Sequence, residues 1–376
     1  MPYHSEMSSE PGPDPLPPPD FLEDVLDELR RRRSHYGDMT EAPRRPSLAD
    51  VARLAGVAPV TASRVANGQT NVVPATRQLV LDAMSTLGYR PNSAARALKS
   101  GSFRTIGVAV FSLDTLGMMR TVDSIAAAAA AAGYAITLVP VSAASQTGLN
   151  GAFTRFGELA VDGLIVVVET HLRDTDRLTL PSIPRVLVNA AAGASSPVVD
   201  ADQAGGVRAA VEHLLGLGHR TVHHIAGPRG SFAAERREAA WREALVAAGA
   251  PVPPVRYGNW LSDGGYLQGA ALAESGDCTA VLVSSDEAAL GVYRAFAEHG
   301  LRIPEDVSVV GFNDIPEAQD FSPPLTTVRQ DYRAVGERCV ELLLEQLADG
   351  VSDEPVTELV PTTLIVRAST APPATR

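Results

Sequence analysis

The sequence predicts an α/β protein in two parts: a three-helix headpiece carrying a helix-turn-helix, then a two-lobed core of doubly wound parallel sheets. Three observations predict it. Residues 46–101 hold three short helical patterns and no strand-like run, apolar strands alternate with helices from Ile106 onward, and charge is divided unevenly along the chain.

The 376-residue chain has a formal net charge of −12, which taken whole argues against a nucleic-acid surface. Divided, residues 1–43 sum to −6, residues 44–104 to +7 and residues 105–376 to −13. One short basic segment in an acidic protein points to a nucleic-acid module. At 45% hydrophobic and 20% charged residues the remainder composes as a globular core. No apolar run reaches the roughly 18 residues of a membrane span, and the N-terminal residues lack the basic-then-apolar order of a signal peptide. A cytoplasmic protein without a membrane partner is therefore expected. Cys278 and Cys339 match no metal-ligand spacing and are expected to be reduced structural thiols.

Taken in order, residues 1–45 form an acidic, Pro-rich extension whose composition predicts disorder. Within it FLEDVLDELRRRR places Phe21, Leu22, Val25, Leu26 and Leu29 on one side of a short helix, either a plain amphipathic turn or a docking element with extra phosphate contacts from Arg30 to Arg33. Residues 46–91 form the headpiece. Ser47 caps a first helix that repeats Leu48, Val51, Ala52 and Ala55 and ends at Gly56. In AGVAPVTASRVANG a turn glycine precedes a second helix opening on Pro59, where a missing N–H is harmless. That spacing is a helix-turn-helix signature, and a second helix of this kind enters the major groove by its N-terminal residues. Pro59, Val60, Thr61, Ser63, Arg64 and Asn67 face outward on it, and Arg64 suits a guanine edge or a phosphate. A third helix, PATRQLVLDAMSTLGY, packs Leu79, Val80, Ala83, Met84 and Leu87 on the first two.

From Ile106 the strands are IGVAVF, AITLVPV, GLIVVV, RVLVN, TVHHIAG, TAVLVSS and VSVVGF, with helices between them. Strands spaced by helices make a parallel sheet, and an alternation this long makes two lobes. The alanine run 126–132 reads as a helix face that packs closely.

The stretch PSLADVARLAGVAPVTASRVANG…VVPATRQLVLDAMSTLGYRPNSAARALKSG resembles the lactose/galactose repressor family across its headpiece and hinge. The resemblance continues through VDADQAGGVRAAVEHLLGLGHRTVHHIAGP, YGNWLSDGGYLQG, TAVLVSSDEAALG and VSVVGFNDIPEAQDFSPPLTTVRQD. It implies a periplasmic-binding-protein-like core at 104–370. Its N-lobe is expected at about 104–200 plus 329–358, its C-lobe at about 201–328 plus 359–370, and residues 371–376 form a tail. It implies further DNA contacts at Ser47, Asn71, Thr76, Arg77 and Tyr89, and a hinge at 92–103 in which Asn92 to Lys99 become helical on DNA. Asn92, Ala95 and Arg96 contact DNA there, and Leu98 either wedges into the minor groove or packs on the core. Two hinges in one groove imply a homodimer on near-palindromic double-stranded operator DNA. Ala58 and Val73 stand where the family has Ser, so two helix caps are missing and a less stable headpiece is expected; Ala62 replaces a usual Val.

For the core the resemblance implies a small sugar-like effector between the lobes. Trp260 stacks on a sugar ring, and Arg237, four residues before Trp241, binds hydroxyls; Trp241 itself reads as core. Asn189, Phe111, Ser285, Asp286 and Asn313 complete the expected effector contacts. Ser285 replaces a usual Asn and Asn313 a usual Asp, so weak affinity for a plain galactoside is expected. A non-sugar effector or co-repressor stays open, as does a solute-binding protein, which would need export. No G-x-S-x-G, H-E-x-x-H or Walker loop is present, and His219, His223 and His224 read as structural. Neither enzyme, metal site nor cofactor is expected.

Overall fold

The structure, a computed structural model, describes residues 46–69, 71–90, 101–141, 146–168, 183–190, 196–351 and 356–374. The expectations for residues 1–45 and for the hinge residues Asn92, Ala95, Arg96 and Leu98 lie outside the described residues. The chain divides into two compact units, residues 1–92 and 93–376.

In the first unit, α1 (Leu48–Leu54) starts on a reciprocal cap. Ser47 Oγ accepts from the Asp50 N–H at 3.3 Å, while the Asp50 carboxylate accepts the Ser47 N–H at 2.9 Å. The Ser47 hydrogen bonds hold the Asp50 carboxyl down at about 2. Gly56 turns the chain with φ +65°, a conformation that favours glycine. The helices α2 (Pro59–Ala66) and α3 (Pro74–Leu87) both open on proline, and their N-cap residues Ala58 and Val73 supply no side-chain hydrogen bond. Ala58→Ser and Val73→Ser are each expected to stabilise this unit by about 1 kcal/mol. The measurement is amide exchange at Val51 and Val80, which should slow about five-fold in each variant.

Val51, Ala52, Ala62, Val65, Val80 and Ala83 are the buried centre of the three helices, with Met84, Leu87 and Tyr89 packed around it. Leu79, expected in this core, is instead 55% exposed. Val80, Ala83, Met84 and Leu87 complete an i, i+3, i+4, i+7 face, and Leu79 lies about 100° off it.

The first lobe of the second unit contains β1 (Thr105–Val110), α4 (Leu116–Ala131), β2 (Ala135–Pro140), α5 (Gln146–Leu159), β3 (Gly163–Val167), β4 (Arg185–Val188) and β5 (Val198–Ala201). The chain then crosses into α6 (Gln203–Gly216), β6 (His223–Ala226), α7 (Phe232–Ala247), β7 (Arg256–Tyr257), α8 (Ser262–Ser275), β8 (Ala280–Val283), α9 (Asp286–Glu298), β9 (Ser308–Asn313) and β10 (Thr326–Gln330). It returns for α10 (Tyr332–Asp349) and β11 (Thr357–Val360), and crosses again for β12 (Thr362–Ile365). The first sheet, ordered β11-β5-β4-β3-β1-β2, is wholly parallel. The second, ordered β12-β10-β9-β8-β6-β7, is parallel except where β12 closes its edge. Helices cover both faces, which is why β3, β8 and β9 read as unbroken buried runs rather than alternating ones.

Small residues draw α4 against α10: a Cβ on Gly336 would fall 2.5 Å from the Ser124 carbonyl carbon. Trp241 is fully buried and donates its indole N–H to the Val222 carbonyl at 2.8 Å, a core role as expected. Both cysteines are buried and free. Burial pushes the Cys278 thiol up to about 12 and raises Cys339 as well, so neither offers a thiolate near neutral pH. No helix among the described residues is long and apolar enough to cross a membrane.

Buried histidines tie the stability of the second lobe to pH. His219 is pinned between Thr279 Oγ1, Ser308 Oγ and the Ala371 carbonyl, a structural role. His224 is stacked on Trp241 with its Nδ1 bonded to the Leu282 carbonyl, and burial takes its pKa down to about 4 from 6.5. Between those values the unfolded chain binds a proton that the native state does not. The stabilisation is therefore full above pH 6.5 and is lost as pH falls toward 4, on the order of 3 kcal/mol from this group. His213, His219 and His223 are lowered by burial too and act in the same direction. Asp286 opposes them: burial raises it to about 7, so its contribution is lost as pH rises through 7. Urea midpoints from pH 7 to 4.5 should fall less steeply in His224→Phe than in the parent chain.

Candidate functional site

Two surfaces carry chemistry. On the helical head, Pro59, Val60 and Arg64 of α2 and Asn67 at its C-cap are exposed, Thr61 and Ser63 half-buried, and Val60 is 56% exposed although apolar. Several expected contact residues also have internal work. Ser47 caps α1, Asn67 donates to the Ser63 carbonyl at 2.8 Å, Arg77 donates to the Gln69 carbonyl, and Tyr89 packs on the core. Asn71 is exposed and Thr76 half-buried at the start of α3. The freest row is thus the first two turns of α2, with Arg64 as its cation.

The second surface is a partly open cleft between the lobes, lined by residues of both and holding about 80 Å³ of room for small molecules. The ends of β4 and β5 and the first turn of α4 face it from one lobe, and the carboxyl-end loops of the other sheet face it from the opposite side. Five of the expected effector contacts line it: Asn189, Arg237, Trp260, Ser285 and Asn313.

Arg237 is the electrostatic centre. It is only 5% exposed, and its guanidinium lies 3.6 Å from the Phe312 ring centroid and 5.2 Å from that of Trp260. Nε donates to Gln203 Oε1 at 2.8 Å and Nη1 donates to the Ser284 carbonyl, so the Nη2 N–H bonds remain for a molecule in the cleft. Burial lowers its pKa to about 10, which leaves it cationic at neutral pH. No carboxylate among the described residues forms a salt bridge with it.

Trp260 follows β7 and lies so close to Gly227 that a Cβ there would fall 2.6 Å from the indole. Ser285 caps α9 by accepting the Ala288 N–H at 3.0 Å and donates its hydroxyl to the Trp260 carbonyl at 2.6 Å. The hydroxyl thereby ties the tryptophan loop to a helix. Asn189 and Asn313 end strands of opposite lobes with φ +58° and +115°, backbone geometry that asparagine tolerates better than most side chains.

Two expected contacts do not line the cleft. Phe111 is half-buried and packs against the first lobe's apolar cluster around Leu149 and Phe156, on the side of the strand end away from the cleft lining. Asp286 is fully buried beneath the site, accepting from Thr327 Oγ1 at 2.5 Å and from the Ile315 N–H at 2.9 Å. It braces the loop after Asn313.

Sequence reasoning missed the glutamines. Gln330 donates to Asn313 Oδ1 at 2.7 Å and to the Tyr332 hydroxyl at 2.9 Å, and Gln203 donates to Gln330 Oε1 at 3.3 Å. Together with Arg237 they make one polar network across the floor. Beside it Arg236, on the second lobe, pairs with Asp200 and donates to the Ala190 carbonyl, both on the first. The VRQDY segment held a signal for Gln330 and Tyr332: polar residues at the carboxyl end of a buried strand. No group of three metal-ligating side chains occurs among the described residues.

A helix-turn-helix head on a two-lobed core with a polar, aromatic-walled cleft is the build of a DNA-binding transcription regulator that answers to a small molecule. Residues 47–92 match the bacterial regulatory proteins of the lacI family, and residues 211–370 match the periplasmic binding protein-like domain. The chain is 33% identical to the lactose operon repressor of Escherichia coli K12 over 335 residues, 88% of this chain and 92% of that one. It is 35% identical to the regulator CelR of Thermobifida fusca over 342 residues, 88% of this chain and 99% of that one. A lac repressor dimer bound to operator and the anti-inducer ONPF superposes with TM-score 0.77 at 31% identity, over 87% of this chain and 100% of that one. A CelR–cellobiose complex does so with TM-score 0.65 at 31% identity, over 86% and 100%. The chain belongs to the lacI family of bacterial transcription regulators and is not an enzyme.

Proposed function

We propose that this regulator is a homodimeric cytoplasmic repressor that holds near-palindromic operator DNA through α2 of each head and releases it when a sugar-like effector enters the cleft. The carrying observation is Arg237 beside Trp260: a buried fork of N–H donors next to an aromatic plate, the pair that vicinal hydroxyls and an apolar sugar face require. The lac repressor bound to operator and the CelR–cellobiose complex support the same reading. In this reading residues 46–91 bind the groove, with Pro59, Val60, Thr61, Ser63 and Arg64 at base edges and Asn67, Asn71, Thr76 and Arg77 near phosphates. Residues 92–103 form the hinge, where Leu98 wedges the minor groove and Asn92, Ala95 and Arg96 flank it. Effector and operator then change each other's affinity by one common factor.

Lys99, the chain's single lysine, falls in that hinge and gives the test a direct probe. Gel shifts with the DNA upstream of its own gene, with and without neutral sugars, should show a complex that one of them dissolves. Amine labelling with peptide mapping should show Lys99 protected on DNA and released by that sugar. No shifted band at low salt, or a Lys99 equally reactive on and off DNA, would sink the proposal.

A further inference from the structure

Glu287 lines the cleft from the first turn of α9. The backbone of Leu116, which belongs to the opposite lobe, faces one side of its carboxylate. Its Oε2 is buried and has no hydrogen-bond partner. A first-turn acid is ordinary helix chemistry, since the dipole favours it. A buried acceptor with nothing donating to it is not, because such an oxygen costs more than a hydrogen bond returns.

A carboxylate oxygen can only accept, so its complement carries an O–H or N–H. The rest of the cleft decides between neutral and charged donors. Arg237 presents a buried cation with no salt bridge among the described residues, which opposes an ammonium group in the same cavity, while the Glu287 carboxylate on its wall opposes phosphate and carboxylate groups, Asp200 being already paired with Arg236. We propose that Glu287 is a specificity-determining effector contact that accepts a hydroxyl from an uncharged saccharide, and that this cleft excludes amino sugars, sugar acids and sugar phosphates. The inference rests on the sugar reading above and narrows it.

The test uses the full chain with cellobiose, lactose, maltose and melibiose as neutral probes, and glucosamine, glucuronate and glucose 6-phosphate as charged ones. Calorimetry, with the tryptophan fluorescence of Trp241→Phe, whose remaining tryptophan is Trp260, as a second readout, gives the affinities. At least one neutral probe should bind, and the charged probes should bind at least ten-fold more weakly. Glu287→Ala should weaken the neutral sugar about ten- to one-hundred-fold, the range of a hydrogen bond to a charged group. The isosteric Glu287→Gln, which keeps a carbonyl acceptor and guards against misfolding, should stay within about ten-fold. Among monodeoxy forms of the bound sugar, one should lose affinity in the parent chain but lose less than two-fold further in Glu287→Ala. A purely structural glutamate would not produce that coupling. Unchanged neutral-sugar affinity in Glu287→Ala, or tighter binding of any charged probe, overturns this inference and leaves the sugar reading standing. If the parent chain binds none of the neutral probes, both fall together.

Discussion

Gly291→Ala is expected to destabilise the second lobe by about 3 kcal/mol or more, the upper range for forced overpacking. A Cβ at Gly291 would lie 1.8 Å from the Ser262 carbonyl oxygen, and one at Gly265 would lie 1.9 Å from that of Ala288. The helices α8 and α9 therefore meet backbone to backbone, and no rotamer change relieves the overlap. Trp260 lies two residues before α8, and its carbonyl is held by Ser285 at the start of α9. Forcing the helices apart should thus weaken effector binding as well as folding. Urea unfolding followed by circular dichroism measures the first effect and sugar titration the second. Gly151→Ala is the control, since nothing lies within 4 Å of its Cβ position inside α5, and alanine there should be neutral or slightly stabilising. Equal midpoints for Gly291→Ala and the parent chain would refute the packing argument.

Arg237→Met is expected to lower effector affinity by two orders of magnitude or more while shifting the melting temperature by only a few degrees. Hydrogen bonds to a charged group are worth about 1.5–3 kcal/mol each, and the fork aimed at the cleft can make two. The stability effect is smaller because opposing changes offset one another. Removing a buried cation that has no carboxylate partner is favourable, whereas Gln203 Oε1 and the Ser284 carbonyl lose their donor. Arg237→Lys should not restore binding, since a single ammonium cannot reach Gln203, Ser284 and a ligand hydroxyl together. Operator release assays across sugar concentrations read this directly. A variant that still releases DNA at the parent concentration would remove Arg237 from the site.

The lobes were legible because parallel strands buried on both faces leave unbroken apolar runs such as GLIVV and AVLV. Helix α8 was not, because it buries Gly265, Gly269 and Leu272, and a glycine face leaves no apolar stripe to find. The strand expected before the Trp260 loop is present as the two-residue β7. In the cleft, Trp260 and Arg237 stood out by residue type and context. Gln203 and Gln330 did not, since their meaning lies in contacts 127 residues apart. Ser285 and Asp286 were taken together, yet adjacent residues at a helix start face different ways, and only Ser285 reaches the cleft. Phe111, at a strand end, packs against the first lobe's apolar cluster and not along the cleft lining.

The chain passes between its lobes at three places, each spanned by a single residue: Asp202 between β5 and α6, Asp331 between β10 and α10, and Pro361 between β11 and β12. Three such short tethers favour hinge bending of the lobes over sliding. Gln203, Gln330 and Tyr332 adjoin two of these pivots and also face the cavity. A molecule gripped by them bears directly on the joints, so its grip and the angle between the lobes are coupled.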